Sequence, residues 1–188
     1  MGRSYGFTPL VRFAFLTVAL HLAGAGFNPA FAHSFNLLMV LPEAVHTDAK
    51  QAFLLASEEQ DRHALEESDG HLGGLDVYIS FAIQTDIDAM SATVPDIIAL
   101  PLAGVTLPAM VQTPFLPPID PQSPRARNIL ARASNPALPP FEQRFSSATG
   151  RPPGPVAKAI YVSARIISEA VRTTNGVEDL RALQKNLK

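Results

Sequence analysis

The 188-residue sequence contains no cysteine and no tryptophan. Without cysteine there is no disulfide and no thiolate nucleophile, so stability has to come from packing. A lipid tether of the bacterial lipoprotein kind, which is carried on a cysteine, is excluded as well. An excess of charge of either sign is also lacking: 15 Lys and Arg stand against 17 Asp and Glu, giving a formal charge of −2 and a pI near 6.2. That balance offers no basic face for nucleic acid and no polybasic patch for a membrane surface. Catalytic signatures are missing too. There is no G-x-S-x-G elbow, no P-loop, and no G-x-G-x-x-G after a strand. A chain without enzymatic activity, cofactor or metal is the expectation.

The N-terminus has the three parts of a cleavable secretory signal. Arg3 and Arg12 make a positive n-region. Phe13 to Ala25 is apolar apart from Thr17 and His21, and too short to span a bilayer comfortably. Ala30-Phe31-Ala32 supplies the small-x-small pattern at which a signal peptidase cuts, with Pro29 discouraging helix just upstream. Export to the periplasm is therefore expected, with 1–32 as signal peptide and 33–188 as the mature domain. The mature chain has no further segment apolar for long enough to enter a membrane.

The first part of the mature chain alternates strand and helix signals. Phe35 to Leu41 is a short apolar run closed by Pro42, as in a buried strand. Thr47 is a plausible N-cap, and Asp48 suits the first turn. Ala49, Ala52, Phe53, Ala56 and Ala64 recur at helical spacing, which predicts a helix of some five turns laid on a sheet. Its carboxylates Glu58, Glu59, Asp61, Glu66 and Glu67 read as a solvated face. Gly70-His71-Leu72-Gly73-Gly74 precedes a strand and does not open a helix, so it reads as a turn and not as a phosphate loop. Leu75, Val77, Ile79 and Phe81 alternate with polar residues as in a strand. A short helix is expected over 84–93, and Asp96 to Leu100 reads as a third strand. The order implies an α/β fold with a small parallel sheet between layers of flanking helices.

Twelve of the 17 prolines lie between Pro108 and Pro155. Such density suits neither central strands nor long helices, so 107–155 is expected to be an irregular excursion. Short helices are predicted at Arg125–Ser134 and Leu138–Thr149, the second closed by Gly150. The clearest helix starts with Pro155 at its first position and carries a wide apolar stripe to Val171. Asn175-Gly176 stops it, and Val177 to Leu187 predicts a last helix.

Histidine offers one alternative. If cleavage follows Ala32, His33 becomes the N-terminal residue, and its free α-amine and imidazole suit Cu(II). The copper brace of that kind is built on β-sandwiches, whereas strands and helices alternate here. A solvated terminal histidine is the favoured reading. His63 reads as a boundary residue on a helix face.

Two stretches carry a family resemblance. One is LLASEEQDRHALEESDGHLGGLDVYIS within Phe35 to Phe81; the other is PPFEQRFSSATGRPPGPVAKAIYVSARIISEAV, Pro139 to Val171, with Ala157, Tyr161 and Ala164 in an A-x-x-x-Y-x-x-A pattern. Together they cover about half of the mature chain and resemble the type I periplasmic solute-binding proteins of the leucine/isoleucine/valine-binding class. Members of that class have two lobes and about twice this length, and the tyrosine usual before the glycine is Thr149 here. The resemblance implies a single lobe, binding of a small, amino-acid-like solute, and work with the membrane component of an ABC importer. It places ligand contacts in the loops after the first and third strands, where Glu43, His46 and Thr106 are the polar candidates. A homo-oligomer, or an accessory protein that kept the lobe and lost the solute, are the alternatives it leaves.

Overall fold

The computed structural model describes residues 34–59, 68–83, 87, 95–105, 107 and 112–188. The chain begins with β1 (Ser34–Val40), whose apolar run is buried on both faces from Leu37 onward. Pro42 ends it, and a 3-10 turn (Glu43–Val45) leads into α1 (His46–Ser57). This helix starts one residue before Thr47, and no side chain caps it, so Thr47 lies inside the first turn. Asp48 does occupy that turn, where it pairs with Arg151. α1 ends at Ser57, short of the five turns predicted, with Glu58 and Glu59 in a turn; the rest of the predicted extension to Ala64, with His63, and the helix expected over 84–93, apart from Ile87, lie outside the described residues, as does His33.

The glycine-rich segment is a hairpin. β2 (His71–Leu72) runs antiparallel to β3 (Leu75–Ala82) across Gly73-Gly74. Gly73 has φ +67°, and a Cβ there would sit 2.7 Å from the side chain and 2.8 Å from the backbone of α4. Its N–H donates to Ser168 Oγ at 2.9 Å. Only glycine lets the turn seat this closely on the long helix.

β4 (Ile97–Ala99) and β5 (Phe115–Leu116) complete a five-stranded sheet in the order β2-β3-β1-β4-β5, parallel except for β2. In register, Leu37 lies between Ile79 on β3 and Ile97 on β4. α2 (Pro124–Ala131), α3 (Phe141–Thr149), α4 (Pro155–Thr174) and α5 (Leu180–Asn186) follow. The punctuation works as the residues suggest. Ser123 Oγ accepts from the Ala126 N–H, Gly150 takes a left-handed φ of 75° after α3, and Asn175 does so at 55° after α4. Among its described residues the proline-rich interval thus holds two short helices and one two-residue edge strand. Gln184 of α5 covers that edge: it accepts from the Phe115 N–H at 2.9 Å and donates to its carbonyl at 3.0 Å.

The two faces of the sheet differ. Phe35, Leu37, Met39, Val77, Ile97 and Leu116 share one core with all five helices, centred on Phe53, Ile160 and Ile167. Each such side chain removed from water contributes about 1.5–3 kcal/mol before entropy is counted. The opposite face carries Leu38, Val40, Ala82, Ile98 and Leu100, against Ile87, Val105 and Leu107 from loops. Among the described residues no helix contributes to it. The described helices therefore lie on one side of the described sheet.

Candidate functional site

The chain passes from β1 to β3 on one side, then returns to place β4 on the other side of β1. That reversal is a topological switch point, and it sets the carboxyl ends of β1 and β4 side by side, with Met39 opposite Ala99. In open α/β sheets, ligands bind in the crevice outside the strand ends at such a point. The loops that leave it are 41–45 and 100–105. The Leu41 and Leu100 N–H groups still continue the ladder, donating to the Ala82 and Leu116 carbonyls, and the Val45 N–H closes the 3-10 turn on Pro42.

Glu43 stands in the 3-10 turn on the first of these loops, exposed. Among the described residues it has no ion-pair partner, so its charge faces solvent. His46 is half-buried and turned toward the opposite side of β1. Its Nε2 lies 3.2 Å from the Leu41 carbonyl oxygen, and its ring stacks on Phe81 of β3 at 5.0 Å between centroids and 26° between planes. There it lines a shallow groove of about 450 Å³ with Lys50, Leu54 and Asp69. Thr106 lies outside the described residues; Val105 and Leu107 beside it pack on the second face of the sheet.

A second polar centre lies on the helical side, and it revises the reading of the α1 carboxylates. Glu59 is not solvated: it is 7% exposed. Its Oε1 accepts from Arg144 Nη2 and from the Tyr161 hydroxyl. Its Oε2 accepts from Arg165 Nη1 at 2.8 Å and from the Ser134 N–H at 2.5 Å. Four donors saturate the carboxylate, which is what a buried charge requires. Arg144 also donates through Nη1 to the Leu55 carbonyl at 2.8 Å and through Nε to that of Pro139 at 3.1 Å. Arg165 Nη1 reaches the Tyr161 oxygen at 2.9 Å. The Tyr161 ring is fully buried and stacked on Phe141 at 4.2 Å.

Burial pushes the Tyr161 phenol up to about 12, aided by its hydrogen bond to Glu59 and by the charge there, against the opposing pull of Arg165. The phenol stays a proton donor at any physiological pH. With its carboxylate saturated and its hydroxyl held protonated, the cluster has no free base or nucleophile. Its effect is to fasten the end of α1, the segment after α2, and helices α3 and α4 to one point.

The sequence carried a signal for this centre. Ala49, Ala52, Ala56 and Glu59 follow one another at three- and four-residue spacing, so Glu59 continues the apolar stripe of α1. A carboxylate on that stripe needs partners, and Arg144 and Arg165 lie in the later helices that pack there. Comparison with protein-family models, with curated proteins and with solved structures finds no match to this chain in any of the three. Among the described residues, no group of three His, Asp or Glu side chains is placed to hold a metal ion.

Proposed function

We propose that the chain is an exported, non-enzymatic solute-binding-like protein. It is one lobe of a type I periplasmic-binding-protein-like fold, serving ABC-type uptake or sensing of a small, amino-acid-like molecule. In this reading residues 1–32 are a signal peptide, residues 33–188 are the working lobe in the periplasm, and the importer's membrane component is the protein partner. No described helix is long and apolar enough to cross a membrane. One observation carries the reading: the strand order sets the 41–45 and 100–105 loops together at the switch point, with the exposed Glu43 on one of them. A carboxylate at such a crevice suits the ammonium group of an amino acid.

A two-lobed receptor gains affinity by closing over its ligand. One lobe offers about half of those contacts, so binding is weaker or requires a second copy. The test is a melting curve of the purified chain against amino acids, small organic acids and sugars. A solute at one hundred times its Kd adds about 2.7 kcal/mol, a shift of roughly 5–10 °C for a chain of this size. A melt that no solute moves rejects the reading.

A second reading, an accessory or scaffold protein without a solute, has one observation in its favour. Tyr78 is 41% exposed and Phe115 36% exposed, both on the sheet face that no described helix covers. A stable oligomer or heteromeric complex in the absence of any solute, seen by sedimentation, would favour it.

A further inference from the structure

A groove of about 490 Å³ runs between α2 and α4, on the helical side of the molecule and away from the switch-point loops. Its walls include Arg125, Asn128, Ser134, Arg165, Glu169 and Arg172. Three guanidinium groups therefore face one carboxylate, in a chain whose overall charge is negative. Arg165 and Arg172 are two turns apart on α4, about 10 Å along its axis, so both point to the same side. Arg125 approaches from α2 across the groove.

The three cations are not equally committed. Glu169 pairs with Arg172 one turn away, but both side chains are more than half exposed, and such pairs are weak. Arg125 donates through Nη1 to the Lys188 carbonyl at 3.2 Å. Arg165 is the decisive one. Its side chain is 16% exposed, and all of its hydrogen bonds among the described residues run through Nη1: to Glu59, to the Tyr161 hydroxyl and to the Arg132 carbonyl. Its Nε and Nη2, the side-on fork that matches a carboxylate or phosphate, donate to nothing there. Glu59 supplies one negative charge to two arginines, Arg144 and Arg165. A surplus positive charge thus remains on a guanidinium whose position is already fixed, so a ligand would lose little side-chain entropy in using it.

We infer that this groove is an anion-binding site for a small molecule bearing a carboxylate or a phosphate. The Arg165 fork grips the anionic group, and Arg125 and Arg172 close on the remaining charge from the two walls. The volume is that of a small-molecule site. The inference stands apart from the switch-point crevice and does not depend on it.

The purified chain is melted in inorganic phosphate, in succinate and in chloride at matched ionic strength. At one hundred times the Kd, phosphate or succinate should raise the melting temperature by about 5–10 °C above chloride, saturably. The tighter of the two names the ligand's charged group. The double variant Arg125→Gln, Arg172→Gln leaves the Glu59 cluster intact, so it should fold and lose most of the shift. Arg165→Lys keeps the charge without the fork and should weaken binding at least tenfold. No saturable shift from either anion overturns the inference. So does a full shift in the double variant.

Discussion

Two glutamates, Glu43 and Glu59, flank the same helix and differ in almost everything that matters to their use. Glu59 is buried, and four donors from three segments occupy its two oxygens. Glu43 is exposed in a short turn, and among the described residues it has no ion-pair partner. The first charge is consumed by the fold. The second is left over at a switch point, where open α/β sheets bind ligands. The lesson is that in this protein a carboxylate's partners, and not its neighbours in sequence, separate structure from candidate function.

Breaking the buried side should have the largest effect. Glu59→Gln removes the charge that two partly buried guanidinium groups share, which should cost about 3–5 kcal/mol of stability, read as the urea midpoint at unchanged m. A loss below about 1 kcal/mol would mean that the cluster is solvated after all. Gly73→Ala loosens the helical side without touching any charge. Positive φ and the approach to Val171 and Ser168 make it cost about 2–3 kcal/mol. Solute or anion responses should survive it once the melt is referenced to the variant's own baseline.

Alkaline titration sharpens the same contrast. The Tyr161 pKa is raised in the folded state, so above pH 10 the unfolded chain releases a proton that the folded chain keeps. Stability is fully present below pH 10 and falls as pH rises toward 12, by about 2–3 kcal/mol in all. In Tyr161→Phe that part of the slope disappears, and in Tyr78→Phe the Tyr161 phenolate absorbance should appear only near pH 12 or with unfolding. Glu43→Gln is the smallest perturbation. It should change stability by less than about 0.5 kcal/mol, as surface changes do, while reducing any response to a solute.

Much of the fold was legible because its signals are local. The β1 run before Pro42, the alternation of β3, Pro155 at the head of α4 and Asn175 and Gly150 at helix ends each act within a few residues. The exclusions fared unevenly by the same logic. The glycine-rich turn before β3 is a turn, but nothing local shows that it forms a hairpin against Ser168, 95 residues away. Proline density did not reveal that Gln184 would shield β5 across 69 residues. The one-sided helical cover of the described sheet was also invisible, since a run such as Leu37 to Val40 is apolar on both faces whatever covers them.

The candidate site was legible only as an address. Strand ends can be read from sequence, so the segment after β1 was expected to carry Glu43 and His46; Glu43 stands in the 3-10 turn there, and His46 opens α1. The direction of each side chain could not be read. His46 stacks on Phe81 and leans toward β3, because the helix starting at that residue carries its ring away from β4. The Glu59 cluster was misread for the opposite reason: a count of carboxylates on α1 outweighed the position of one of them on the apolar stripe.

The most direct test of the account is an amide nuclear magnetic resonance titration of the purified chain with leucine, isoleucine and valine. The account predicts saturable shifts at 41–46 and 100–105 that persist in the Arg125→Gln, Arg172→Gln double variant. Shifts confined to other surfaces, or none at concentrations that saturate weak sites, would contradict it.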